Sequence, residues 1–221
     1  MIRPFGEAAF LVELGTTARV HALADNLRDA PLHGVIECVP GIETLLVEFD
    51  PLGTDAGELG SQLTSRLQRL DERPAQAGRH RSIPVVYGGE FGPDLDEVAG
   101  LTGMAPDEVV RLHGSTDLVV EILGFAPGFP YLGTLPAKLD VPRLATPRTV
   151  TPAGAVAVAG RRTGIYPAEL PGGWRVIGRT PVSLFDPRRD PPAYLAPGDR
   201  VRFVPMSVEA WATRAGAAPD W

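Results

Sequence analysis

Three stretches of this chain hold side chains whose types and spacing suit recognition chemistry. Gly124-Phe125-Ala126-Pro127-Gly128-Phe129-Pro130-Tyr131-Leu132-Gly133 sets three aromatics among two prolines and three glycines, without a charge. Glycine admits close backbone approaches and proline fixes φ, so the rings are held in place at little cost in ordering entropy. Residues 163–174 repeat the character in Thr163-Gly164-Ile165-Tyr166-Pro167 and Pro171-Gly172-Gly173-Trp174, and Ile177-Gly178-Arg179-Thr180-Pro181 adds a cation. The candidate substrate- or partner-binding residues are therefore Phe125, Pro127, Gly128, Phe129 and Tyr131, then Thr163, Gly164, Tyr166, Gly172, Gly173 and Trp174, and Arg179. Trp174 has two readings, a ring plugging one end of a β-barrel or a surface offered to a partner. Phe129-Pro130 and Tyr166-Pro167 are aromatic-proline pairs, a context that raises the chance of a cis bond.

His113 and Arg148 are the candidate catalytic residues. His113 ends a predicted helix, where the macrodipole favours a protonated imidazole able to donate a proton or meet a phosphate; a plain C-terminal capping role is the alternative. His21, His33 and His80 sit among helix, turn and linker residues and read as structural or solvated. Ten arginines between 143 and 202 face only Glu169, Asp186, Asp190 and Asp199 over that span. Most read as solvated, but Arg148 and Arg179 lie beside Thr-Pro turns, and a guanidinium grips carboxylate or phosphate in bidentate fashion.

Several chemistries find no support. There is no CxxC, no HExxH and no close histidine pair, so no metal is expected on the protein. No GxSxG elbow is present, and Lys138, the one lysine, lies outside any P-loop pattern. A net charge of −6 gives no general attraction to nucleic acid or an anionic membrane. The single cysteine, Cys38, flanked by Ile36 and Val39, reads as a structural thiol in a reducing compartment. Glu7 and Glu13 interrupt the apolar start, unlike a signal-peptide core, and the expectation is a cytoplasmic protein.

The elements that must position these residues fall into two sets. An apolar fraction of 44% with 22% charged residues describes a globular chain, and 25 glycines and 23 prolines scattered through apolar sequence favour many short strands. Residues 1–78 read as a small α/β domain. Strands are predicted at 8–14, 35–39 and 44–49, with a helix carrying Val20, Leu23 and Leu27 after a cap at Thr16 or Thr17. A second helix carries Leu59, Leu63, Leu67 and Leu70 after Asp55 and Glu58. Residues 71–82 form the expected linker. Beyond it come a strand at 83–87, a short helix capped by Asp94 and Glu97, a helix from Pro106 to His113, and a strand at 116–123. Short apolar runs at 156–159, 175–177, 182–185 and 201–204 then indicate a β-barrel or sandwich, with a short helix in the tail from 207.

Read in order, GFAPGFPYL (124–132), PR (142–143), TPR (146–148), TPAG (151–154), TGIYP (163–167), PGGW (171–174), IGRTP (177–181) and PGDRVRF (197–203) resemble the KipI family, also called allophanate hydrolase subunit 1 or the 5-oxoprolinase B subunit. The likeness extends upstream through YGGEFGPDLDEVA (87–99) and His113. It implies an α+β protein, with the small N-terminal α/β domain at 1–78 followed by a cyclophilin-like β-barrel domain at 79–221. It also implies an ATP-dependent amidohydrolase complex, working with Mg2+ on a small lactam or ureide. The active site would be shared with a partner resembling allophanate hydrolase subunit 2, which is the 5-oxoprolinase C subunit. Some members are described as inhibitors of a histidine kinase, which makes a non-catalytic regulator the alternative; a prolyl isomerase is suggested by the barrel alone. One departure is GAVAVAG at 154–160, where Ala155 stands in place of the serine of the family pattern. No nucleophile for amide cleavage is apparent, which fits a chain that supplies only half of a site.

Overall fold

Alternating apolar residues in the first seventy positions build four strands, Ile2–Pro4 (β1), Ala9–Glu13 (β2), Val35–Pro40 (β3) and Thr44–Phe49 (β4), in an antiparallel sheet ordered β1-β2-β4-β3. Helices Thr17–Asp29 (α1) and Ala56–Gln68 (α2) send Val20, Leu23, Leu59 and Leu63 into a core with Val12, Leu45 and Val47 from the sheet. Thr16 caps α1 by accepting from Arg19 N, and Asp55 caps α2 by accepting from Glu58 N. Strand β1 was not anticipated, because three residues bounded by a proline are too short for a readable period. Cys38 is half-buried, and burial beside Glu37 pushes its thiol up to about 11.

The computed structural model describes residues 1–70 and 78–214, and the chain divides into two compact units, Met1–Ala77 and Gly78–Trp221. Most of the expected linker, 71–77, lies outside the described residues. Among the described residues no helix is long and apolar enough to cross a membrane.

The second unit is a closed barrel of seven strands. These are His80–Tyr87 (β5), Leu118–Leu123 (β6), Pro130–Gly133 (β7), Ala155–Ala159 (β9), Arg162–Ile165 (β10), Arg175–Arg179 (β12) and Arg200–Pro205 (β13). Their order around the barrel is β10-β7-β6-β13-β5-β12-β9, with β5 and β13 parallel. All seven feed one apolar interior, among them Ile83, Leu118, Leu132, Val156, Ile165, Ile177 and Phe203. Helices Leu95–Thr102 (α3) and Pro106–Ser115 (α4) pack Val98 and Val109 into that core. Arg148–Thr151 (β8) and Leu170–Gly172 (β11) pair as a separate ribbon, and Val208–Arg214 (α5) is a last short helix. The remainder of the tail expected to be helical lies outside the described residues.

Three expectations change. Strand β7 occupies the second half of the run read as a rigid loop, and β10 and β11 occupy parts of 163–174. Their glycines and prolines hid them, yet Pro130 is the first residue of its strand, a position that needs no ladder donor. The run at 182–185 is not a strand; only Phe185 makes an isolated bridge, to Ala193. Asp94 sits at the N-cap of α3 but makes no side-chain cap bond.

The barrel closes around a buried carboxylate. Asp199 Oδ1 accepts from Arg79 N at 2.9 Å, while Oδ2 accepts from Arg79 Nη2 at 2.9 Å and Ala196 N at 3.0 Å, tying the start of β5 to the turn before β13. Replacing Asp199 by Ala leaves these donors unmatched and is expected to lower the unfolding free energy by about 2–4 kcal/mol in urea titration. Arg202→Ala, which breaks the exposed pair with Asp117, should cost less than about 1 kcal/mol.

Candidate functional site

Successive side chains of a strand point to opposite faces, so a wall filled inside by Val156 and Val158 turns Ala155, Ala157 and Ala159 outward. On this outer face of β12, β9, β10 and β7, neighbours in the barrel order, a second apolar cluster forms. It contains the three alanines, Phe129, Tyr166, Trp174 and Val176, with Tyr131 and Leu170 against its edge. The rings meet edge to face: Phe129 to Tyr166 at 5.2 Å, Phe129 to Trp174 at 5.9 Å and Tyr131 to Trp174 at 5.6 Å between centroids. Trp174 is thus buried on the outside of the wall and plugs no barrel end. Phe129-Pro130 and Tyr166-Pro167 are trans; the cis bonds of the described residues are Gly133-Thr134 and Asp190-Pro191.

Small residues make this packing possible. A Cβ on Gly164 would lie 2.9 Å from Pro130 O and 3.0 Å from the Phe129 ring, and one on Gly172 would overlap the Tyr166 hydroxyl. Gly128 has φ 78°, and a Cβ there would press on Phe185 and Leu184. Gly173 meets only Pro147, at ordinary contact distance. The Trp174 backbone N–H donates to the Tyr166 phenol, although burial outweighs that bond and raises its pKa.

Phe125 stands apart. It is 60% exposed and has φ 69°, a left-handed conformation that is an outlier for a bulky side chain. Its ring rests edge-on against Phe129 at 5.4 Å and Tyr166 at 6.5 Å, while Pro127 beside it is exposed. The cluster therefore ends in one ring that is offered to solvent.

Arg148 approaches this wall from the β8 ribbon, but its guanidinium is already engaged. Nη2 donates to Asp94 Oδ1, and Asp94 Oδ2 accepts from Val176 N at 2.7 Å. That explains the missing cap on α3, since the carboxylate is turned toward β12. It also corrects the picture of Arg148 as a cation free for a substrate. Nη1 of Arg148 is buried without a hydrogen-bond partner.

His113 is also changed. It is fully buried, on the barrel side of α4, against Phe203 at 4.5 Å. Thr163 Oγ1 donates to Ala157 O at 3.0 Å, so it must accept from His113 Nε2, also at 3.0 Å. His113 Nε2 therefore carries the hydrogen, and Nδ1 accepts from the Tyr87 hydroxyl at 2.8 Å. Burial pushes the imidazole down to about 3, so desolvation overrides the helix-end dipole and the expected protonated donor is neutral. Thr163 belongs to this interior network, not to the outer wall. Arg179 lies elsewhere again, with Nε donating to Ala153 O at 2.8 Å and the guanidinium over Trp211. Among the described residues no group of three or more His, Cys, Asp or Glu side chains is placed to hold a metal ion.

Asp94, the alanine stripe and Trp211 escaped the sequence reading. AVAVA at 155–159 is a legible sign of a wall with one bare face, whereas nothing local to Asp94 or Trp211 announces their partners.

The sequence matches the model for the carboxyltransferase domain, subdomain C and D, over residues 1–195. It is 46% identical over 213 residues to the 5-oxoprolinase B subunit of Escherichia coli O157:H7, covering 91% of this chain and 94% of that one. Against the 5-oxoprolinase B subunit of Bacillus subtilis (strain 168) the identity is 40% over 222 residues, covering 93% and 92%. Among solved structures, TTHA0988 in space group P6522 superposes with a TM-score of 0.79 at 39% identity, covering 90% of this chain; this chain spans 40% of that one.

The neutral His113 has a measurable consequence. Because its folded pKa lies below the usual 6.5, its contribution to stability is complete above pH 6.5 and is lost as pH falls from there toward about 3. Histidine side-chain NMR should show an Nε2–H tautomer for His113 that does not titrate between pH 8 and about pH 5, the region where an ordinary histidine gains its proton. Urea midpoints compared at pH 7 and about pH 5 should fall more for the wild type than for His113→Gln.

Proposed function

Because this chain belongs to the family of carboxyltransferase domain subdomains C and D, we propose that it is a subunit of an ATP-dependent amidohydrolase complex that opens a small cyclic amide. In this reading the active site is completed by a chain resembling allophanate hydrolase subunit 2, the 5-oxoprolinase C subunit. The observation that carries it is the outer wall itself, a preorganised aromatic surface ending in the exposed, strained Phe125. The likeness to proteins named as the B subunit of 5-oxoprolinase, over more than 90% of this chain, supports the substrate class.

The chemistry available to this chain is that of binding and orientation. His113 is buried and neutral, and Arg148 is tied to Asp94, so neither is poised to attack an amide carbonyl or to shuttle a proton at the surface. Phe125, with the half-buried Tyr131 at the margin, instead offers the ring surface for contact, and the buried Tyr166 and Trp174 hold that surface in place. The Tyr131 phenol at the margin of the cluster adds a polar group for orientation. The reading also brings ATP with Mg2+. In this reading the nucleotide and its metal act at the level of the complex, and no step on this chain is assigned to them.

Two measurements test the reading. The purified chain alone should show no 5-oxoproline-dependent ATP hydrolysis, and activity should appear when a homologue of the C subunit and the remaining member of the complex are added; full turnover by this chain alone would refute the shared site. Phe125→Gly should weaken binding of that C-subunit homologue by about tenfold or more in calorimetry, as loss of an exposed aromatic anchor does. Its thermal stability should stay level or rise, because glycine relieves about 1 kcal/mol of left-handed strain.

A further inference from the structure

We propose that a cleft bounded by the turn at 153–154, the segment 180–183 and helix α5 is a binding site for the carboxylate or phosphate group of a small ring-bearing molecule. Its volume is about 320 Å³, and its lining includes Ala153, Gly154, Arg179, Thr180, Ser183 and Trp211. This volume is at the lower end of small-molecule sites. Among the described residues of the lining Arg179 is the one charged group, and none of them is a carboxylate.

Four arginines of the barrel are paired with acids, while Arg81, over the Tyr194 ring, and Arg161, with Nε donating to Leu135 O, share the acid-free setting of Arg179. Arg148, Arg162, Arg175 and Arg202 are each answered by an acid, respectively Asp94, Glu121, Glu97 and Asp117. Arg179 is held by different means. Its Nε donates to Ala153 O at 2.8 Å, and its guanidinium carbon lies 5.6 Å from the centre of the Trp211 ring. Trp211 is itself fixed edge-on by Phe91 at 5.0 Å. A guanidinium anchored through Nε and laid on an indole keeps its two Nη groups for an outside acceptor, and these have no acceptor among the described residues. Ser183 is exposed at the rim, and its hydroxyl donates to Phe185 O over a long 3.4 Å. The indole supplies a flat wall for a ring.

This site is distinct from the aromatic wall around Trp174 and does not rest on the proposed reaction. The test follows the indole Nε1–H resonances of the whole chain by NMR during separate titrations with inorganic phosphate and with 5-oxoproline, a carboxylate probe. The Trp211 signal is assigned by its absence in Trp211→Phe. It should move saturably with at least one probe, with half-saturation near or below about 1 mM. Phosphate alone moving it identifies a phosphate ligand, and 5-oxoproline alone a carboxylate ligand. Arg179→Gln should weaken that response about tenfold or more, and Arg179→Lys by less, because the charge remains while the fork is lost. An unchanged Trp174 signal in both variants reports that the barrel is intact. No movement of Trp211 up to about 10 mM of either probe, a response equal to wild type in both Arg179 variants, or a shift confined to Trp174 overturns the proposal.

Discussion

The outer wall depends on the bareness of one stripe of the barrel. Ala155, Ala157 and Ala159 present a methyl each, and Gly164 presents nothing, so the rings of Phe129, Tyr166 and Trp174 can lie directly on the sheet. Aromatic side chains bury large areas and contribute through edge-to-face geometry, but only at contact distance. Larger residues along this stripe would lift the rings off and remove both terms. Ala155 is itself fully buried, and a hydroxyl there would need a hydrogen-bond partner.

A second constraint is electrostatic and reaches across the chain. The arginine-rich segment from 143 to 202 is poor in acids of its own, yet its cations are met by Asp94, Glu97, Asp117 and Glu121 from earlier elements. These partly exposed pairs each contribute little to stability, but they decide where guanidinium groups point. Asp94 matters most for the wall, because one carboxylate binds both the backbone of β12, next to Trp174, and the arginine of the β8 ribbon. It couples the N-terminus of α3 to the two pieces of backbone that frame the aromatic cluster.

Much of this was legible in the residues. The helices of the first unit follow from the spacing of Val20, Leu23 and Leu27 and of Leu59 and Leu63, with Thr16 and Asp55 as caps, because those signals are local. The short apolar runs between turns lead to a β-barrel or sandwich, and the structure selects the closed barrel that the family resemblance implies. Strands β7, β10 and β11 were hidden because their glycines and prolines, ordinarily breakers, are there to admit neighbouring rings and backbone, a tertiary reason with no local trace. The helix-end position of His113 predicts a protonated imidazole, whereas the structure buries it in neutral form. A helix terminus exposed to water favours the imidazolium, whereas this one faces the barrel interior, and burial is the larger effect. The roles of Asp94 and Trp211 lie in contacts remote in sequence, among them those with Arg148 and Arg179, 54 and 32 residues away.

Phe125 is the residue on which the proposed contact with a second chain turns. A left-handed backbone at a phenylalanine costs on the order of 1–2 kcal/mol, and the ring so placed buries little of itself within this molecule. The fold could recover that energy with a glycine, which the neighbouring Gly124 and Gly128 show to be tolerated in this turn. What the phenylalanine contributes is a rigid aromatic edge braced by Phe129 and Tyr166 and directed outward, the form taken by an anchor residue that fills a pocket on another surface. A chain whose histidine is sealed in its core and whose nearby arginine is already paired has its reactive groups turned inward and its binding groups turned outward. That division of labour is what the proposed half-site would require of this chain.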